Sequence, residues 1–363
     1  MRWRRWQLGL VVVILGAALT GCWDQHPVEF RGAVAAIGID PSGVRGQYRY
    51  TFLFPNVTVT TTSIESLAPN DQFFTITADA PTLEKAIDAI QRRQSRVLYL
   101  GQIRILCVSS HLPFAVWRDT LQEAADSGRF VLTFWLLTAP NAQQVVGLTP
   151  PSDVVPDVAL YRALNSRAQP VLWPGRAWRI WAQMVTKGIS PAVVEVHPTA
   201  NEVVLHQLAV LSSRPVMWSP TASEGWAFIV GRVERGTMAL RVGDQMVTVG
   251  LIRGHTGLRV VPTARGAIVR ANLRYSGNLI GGSLRPEDSP AEDRRVEQLV
   301  AARIQQRVLE AWRAAIVTRT DPMGFHRLGQ WSDTRLSPSV SDWSGWTLHL
   351  QVRFTLRDEG VLR

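Results

Sequence analysis

The chain has 363 residues, 46% of them hydrophobic, and a formal charge of +10. That length and apolar content suit two or three domains with a sizeable buried core. Two cysteines exclude a disulfide framework. The basic side chains are nearly all arginines scattered singly, with Lys85 and Lys187 the only lysines, so there is no basic run of the kind that marks a nucleic-acid partner.

The N-terminus reads as a secretory signal. Arg2, Arg4 and Arg5 precede an unbroken apolar run from Leu8 to Leu19, and Leu19-Thr20-Gly21-Cys22 forms a small-residue cleavage site. The apolar run is about 12 residues, where a membrane-spanning helix needs about 20. Cysteine at the cleavage point makes this a lipobox: the Cys22 thiol would receive diacylglycerol and become the first mature residue. The alternative is an uncleaved N-terminal anchor with a chance cysteine. One acyl chain anchors only marginally and two anchor stably, so the lipobox reading puts the rest of the chain at a membrane surface. Trp23 and Asp24 follow at once, as partner contacts there or as a linker whose aromatic rests at the lipid interface.

Beyond the anchor, Ala33 to Asp40 reads as a buried strand, and Tyr48 to Phe54 alternates as its hairpin partner. Thr58 to Ser63 is a threonine-rich stretch. Thr82 to Gln94 has Leu83, Ala86, Ile87 and Ile90 on one helical face. A strand pair is expected at Val97 to Leu100 and Ile103 to Val108, with Cys107 buried in it. Phe114 to Ala125 reads as a helix and Phe130 to Thr138 as a strand. This alternation implies helices layered on a sheet. Pro150 and Pro151 break the chain, a helical region is expected from Asp153 to Thr186, and Ala192 to Val196 resembles a strand. We place the main boundary at His197 to Asn201.

Strands then dominate. Val203 to Ser212, Gly225 to Glu234, Thr237 to Val242, Met246 to Ile252, Gly257 to Val261 and Ala267 to Tyr275 are expected as short strands separated by turns. Ser289-Pro290 opens one long helix. It carries an apolar stripe from Val296 to Ile316 and is expected to end before Asp321-Pro322. Trp346 to Arg357 alternates cleanly, with His349 on its polar side. It is expected in a sheet with one face on the long helix and the other facing water. The fold class is therefore α+β: an N-terminal α/β region of sheets with packed helices, and a C-terminal antiparallel sheet packed against one long helix.

Chemistry-bearing motifs are scarce. There is no phosphate-binding glycine loop and no Gly-x-Ser-x-Gly elbow. None of the seven histidines pairs at His-x-x-x-His spacing, and His197 and His206 flank a strand. Triads are assembled by folds and not by spacing, so this argues against an enzyme without excluding one.

Gly21-Cys22-Trp23-Asp24, followed by a strand ending in Ile37-Gly38-Ile39-Asp40, resembles the start of the Ger(x)C spore germination lipoproteins, the C subunits of nutrient germinant receptors. Leu98 to Ile105 is similar to the family's tyrosine–x–glycine–histidine strand pair, with Gln102 where histidine is usual. Asp126 and Arg129 echo an arginine–aspartate motif, and Leu208 to Leu211 resembles the opening of a C-terminal domain. Asp321-Pro322-Met323-Gly324-Phe325 resembles an aspartate–x–x–glycine–phenylalanine–glycine signature.

The resemblance implies residues 1–21 as a lipoprotein signal peptide, 22–198 as an N-terminal germination-protein domain with a possible break near 150, and 199–363 as a C-terminal germination-protein domain. It implies no cofactor and no enzymatic activity. It also implies integral-membrane A and B subunits as partners, membrane lipid held through Cys22, and a place on the outer surface of the inner spore membrane. The rival readings are a solute-binding lipoprotein, which needs a ligand cleft between two similar α/β lobes, and an envelope hydrolase. Gly101, Asp321 and Gly324 are read as turn formers.

Overall fold

The computed structural model describes residues 30–56, 73–148, 156–166, 169–199, 202–281 and 290–357. Cys22, Trp23, Asp24, the Thr58 to Ser63 stretch and Pro150-Pro151 lie outside them. The first part runs β1 (Arg31–Ala33), β2 (Ala36–Pro41), β3 (Tyr48–Pro55), β4 (Phe73–Ala80), α1 (Leu83–Gln91), β5 (Val97–Tyr99), β6 (Ile105–Ser109), α2 (Phe114–Asp126), β7 (Trp135–Ala139), α3 (Ala142–Gly147), α4 (Pro156–Asn165), α5 (Ala177–Val185) and β8 (Ala192–Pro198). The second runs β9 (Val203–Leu211), β10 (Pro215–Met217), α6 (Pro220–Ile229), β11 (Thr237–Val242), β12 (Gln245–Thr263), β13 (Gly266–Gly281), α7 (Pro290–Thr318), α8 (Phe325–Ser332) and β14 (Thr347–Leu356).

An eight-stranded sheet, ordered β10-β9-β8-β7-β6-β2-β3-β4, carries the N-terminal region. Its centre is parallel, β2-β6-β7-β8, and both flanks are antiparallel. Helices cover both faces. Leu106 and Val108 of β6 pack with α1, α2 and α5 residues such as Leu83, Trp117 and Ile180. Ile105 and Cys107 face the other way, toward Val145 of α3, Leu160 of α4 and Trp226 of α6. A parallel sheet covered twice needs near-continuous apolar strands, and Ile105 to Ser109 is buried throughout. Burial drives the Cys107 thiol pKa well up, so this cysteine is an inert core residue.

The Ile37-Gly38-Ile39-Asp40 strand has a local reason. Asp40 is buried, and its two carboxylate oxygens accept from Ala142 N at 2.8 Å and Gln143 N at 2.7 Å, capping α3 from a neighbouring strand. Gly38 lets that helix start come close: a Cβ there would sit 3.0 Å from the Ala142 carbonyl oxygen. Burial pushes the Asp40 pKa up, against the lowering effect of those two backbone donors.

The C-terminal sheet is ordered β11-β12-β13-β14. Ala267, Val269, Ala271, Leu273 and Tyr275 are all buried, as their alternation requires, and α7 packs on this face. The sheet is mixed and not purely antiparallel. β14 runs parallel to β13, with Ile268 opposite Thr347 through Gly277 opposite Leu356. A parallel neighbour needs a crossover, which α7 and α8 supply.

Four other expectations are corrected. The strand pair at Val97 to Val108 does not form: β5 joins β1 in a small parallel sheet, because β2 and β7 occupy both edges of β6. The strand expected from Phe130 begins only at Trp135, since the Leu132 and Phe134 carbonyls accept from Trp178 N and Ala177 N at the start of α5. Gly225 to Glu234 is not a strand. Ser219 caps α6 by accepting from Ala222 N at 3.2 Å, with Pro220 in its first turn. Met246 to Val261 is one long strand, not two. Gly254 interrupts no pairing; it makes room for the Tyr275 ring, whose Cε1 would lie 2.0 Å from a Cβ there.

Pro198 is the last residue of β8, paired with Val203 of β9, and the eight-stranded sheet takes β9 and β10 from beyond it. Helix α6 joins the two regions, being buried on nearly every side. A Cβ on Gly225 would lie 1.9 Å from the Arg307 carbonyl oxygen, so glycine sets the close approach of α6 to α7.

Candidate functional site at the junction of the two regions

The signature turn between α7 and α8 is a densely hydrogen-bonded buried site. Helix α7 stops at Arg319, a non-glycine residue with φ of 52°. Thr320 N donates to Ala315 O and Arg319 N to Ile316 O, a Schellman closure that uses two orphan carbonyls. The stop therefore precedes the proline-directed one expected from Asp321-Pro322.

Asp321 follows, fully buried. One carboxylate oxygen accepts from Gly324 N at 2.8 Å. The other accepts from both the backbone N and the ring Nδ1 of His326, each at 2.8 Å. Gly324 sits at φ 77°, the left-handed region where a side chain is strained, and a Cβ there would press on Ile189. Both residues are turn formers, as expected.

The same turn reaches across to the N-terminal region. Asp321 N donates to Ser190 Oγ and Ser190 N donates to Asp321 O, both at 2.9 Å. Arg327 N donates to Gly188 O at 2.9 Å, and Trp226 Nε1 to Pro322 O at 3.1 Å. Gly188 at φ 80° permits this contact, since a Cβ would lie 2.7 Å from Arg327 N.

His326 completes the knot. Its Nε2 lies 2.7 Å from Asp342 O, so both ring nitrogens face acceptors, and the form that satisfies both is the imidazolium. Burial lowers the pKa of this ring, but the Asp321 carboxylate and the Asp342 carbonyl outweigh it and the net shift is upward. The rings of Trp343 and Trp346 stand 4.7 and 4.3 Å from the imidazole, a favourable setting for a cation. Although histidine and aspartate here match half of a triad in type, Nε2 is taken by a backbone carbonyl and the ring is fully buried. The pair is a clamp, with no face for a substrate.

The other singled-out residues scatter. Gln102 is exposed beside Arg104, which pairs with the buried Asp157 at 2.6 Å. Gly101 lies under the Tyr99 ring, where a Cβ would fall 2.8 Å from the hydroxyl. His197 and His206 are cross-strand neighbours with ring centroids 4.5 Å apart, and His197 pairs with Glu195 at 3.2 Å. His349 is exposed on β14. Among the described residues no group of three or more His, Cys, Asp or Glu is placed to hold a metal. Ser190 and His326 are not legible as site residues in the sequence. The one signal is the signature itself, whose last position, glycine in the family pattern, is His326 here.

These features define an α+β protein of two regions sharing one core, closed by a buried ionic knot. Residues 24–198 match the family model for the spore germination protein N-terminal domain. A solved structure titled as that of the GerBC protein superposes with a TM-score of 0.57 at 12% identity, over 88% of this chain and 96% of that one. That likeness establishes the shared fold across both regions. No curated protein sequence matches. The chain therefore carries a spore germination protein N-terminal domain over residues 24–198.

Proposed function

We propose that this protein is a lipid-anchored, non-enzymatic subunit of a nutrient germinant receptor, acting in receptor assembly or signalling. Cys22 carries the lipid and holds the protein on the outer surface of the inner spore membrane, beside integral-membrane A and B subunits. The observation that carries the reading is a juxtaposition: the germination-protein domain begins at residue 24, two residues after the lipobox cysteine. Trp23 and Asp24 directly follow the lipidated cysteine in the chain, where they meet the membrane partners. No helix of the described residues is long and apolar enough to cross a membrane. The Asp321–His326 pair, closed on every side, supports a non-enzymatic role for the best-formed polar site. A solute-binding lipoprotein would repeat one α/β plan in two lobes. The eight-stranded and four-stranded sheets share no such plan.

The test is recovery of the tagged protein from mild-detergent extracts of dormant spores. Co-purification of two integral-membrane subunits is the expected result, and recovery of a transporter complex overturns the reading. A Cys22→Ser variant separates anchor from assembly: it is expected to lose lipid labelling and membrane retention. Full retention without labelling overturns the tether.

A further inference from the structure

A cleft of about 690 Å³ opens beside the knot, walled by α5, by the segment from Leu172 to Arg176, by the end of α6 and by Pro322-Met323. That volume suits a small molecule. Its walls are indoles and guanidinium groups. Trp173 and Trp226 are buried in the wall, and Trp178 is half exposed at the mouth. Arg232 extends along the Trp226 ring at 5.8 Å, with one bond to Leu172 O at 3.3 Å. Arg179 stacks on Trp178 at 5.0 Å.

The charges in this cleft are not balanced. Arg176 is committed to the Thr133 carbonyl, the Asn165 side chain and the Trp135 face. Arg232 and Arg179 have no carboxylate partner among the described residues, and they repel each other. Burial first, and that repulsion second, push the Arg232 pKa down. Glu234, the acid lining the cleft, is exposed and pairs with neither. Two further polar atoms in the lining are buried without partners among the described residues: Trp135 Nε1, on a side chain 5% exposed, and Gln183 Oε1. Orphaned buried polar atoms are uncommon and ask for an explanation.

From this geometry we infer that the cleft binds a small organic carboxylate with an apolar, ring-sized body. The carboxylate bridges Arg232 and Arg179. Guanidinium forks match a carboxylate in two-bond geometry, and an anion between two guanidinium groups turns their repulsion into attraction. The apolar body lies against Trp173 and Trp226, where flat indole faces favour a ring. Gln183 Oε1 remains to accept from a donor on the ligand. Because the lining comes from both regions, occupancy would draw α5 and the α7–α8 turn together. The inference stands on the cleft and does not depend on the anchor.

The test is calorimetric titration of the full chain in mild detergent with four probes: phenylacetate, its neutral isostere phenylacetamide, acetate and inorganic sulfate. Phenylacetate is expected to bind at least tenfold more tightly than each of the others. Arg179→Gln, at an exposed position that leaves the core intact, is expected to weaken phenylacetate at least fivefold. Arg232→Gln is expected to weaken it more, with folding checked by circular dichroism. Equal binding of phenylacetamide overturns the carboxylate assignment, and preferential sulfate binding overturns the organic ligand. Absence of phenylacetate binding to the folded wild-type chain at millimolar concentration overturns the site.

Discussion

The two regions bury their sheets differently. The eight-stranded sheet is covered on both faces, so its central strands are apolar throughout and every added atom on either side is felt. The four-stranded sheet packs one face against α6 and α7, and its other face meets water, as the exposed Arg270, Asn272, Arg274, His349, Gln351 and Arg353 show. The doubly covered region takes its geometry from close approaches such as Gly38 on α3. The singly covered one takes its geometry from register and from what lies on its one dry face. The knot around Asp321 and the helix α6 belong to both, and they make one continuous core of two unlike layers.

The sharpest way to break that comparison is to cut the knot. Asp321→Ala leaves a buried imidazolium unpaired and strips the Gly324 and His326 backbone N–H groups of their acceptor; a loss of about 3–5 kcal/mol is expected. It is read by urea denaturation, with hydrogen exchange followed in both regions. If the shared core makes them one cooperative unit, protection falls together in β6 and β13. Separate falls would make the regions independent.

Gly225→Ala tests the α6–α7 approach. The added methyl meets the Arg307 carbonyl, and about 1–3 kcal/mol is expected from overpacking, seen as a lower urea midpoint. Asp40→Ala, within the doubly covered region, removes two bonds to the start of α3 and is expected to lose about 1–2 kcal/mol in the same assay.

His326 gives the junction a pH dependence. Its folded pKa is raised, so its stabilisation is present in full below the ordinary histidine value of about 6.5 and is lost as pH rises through the folded value. Thermal unfolding temperature is expected to fall across that interval in the wild type, and His326→Gln is expected to flatten the fall. A wild-type profile as flat as the variant's would disprove the imidazolium. The smallest effect is expected on the wet face: His349→Ala on β14 is expected to stay within about 0.5 kcal/mol of wild type in the urea midpoint.

The same asymmetry decides which elements are legible in the sequence. On the singly covered sheet, alternation shows directly, so β11, β13 and β14 stand where their patterns place them, and the long helix follows its stripe. On the doubly covered sheet the apolar runs carry no facing information. Val97 to Val108 therefore reads like a hairpin when its halves belong to different sheets. Gly225 reads as the start of a strand and Gly254 as part of a break between two, and both are contact points for other elements. The Ser219-Pro220 cap is as visible as Ser289-Pro290, but the apolar run after it, Gly225 to Val230, masks a buried helix as a strand.

By itself the sequence determined the lipobox pattern at Cys22, the α+β class, the long amphipathic helix, the resemblance to spore germination proteins and the turn-forming roles of Asp321 and Gly324, because each rests on neighbours within a few residues. Only the tertiary structure decided that β14 runs parallel to β13, that position 198 lies within a sheet, that Ser190 and Asp321 bond each other across 131 residues, and that Arg179 and Arg232 share a cleft. The physical reason is that strand partners, buried ion pairs and clefts are chosen by which faces remain to be covered once the core closes, and local pattern carries no record of that choice.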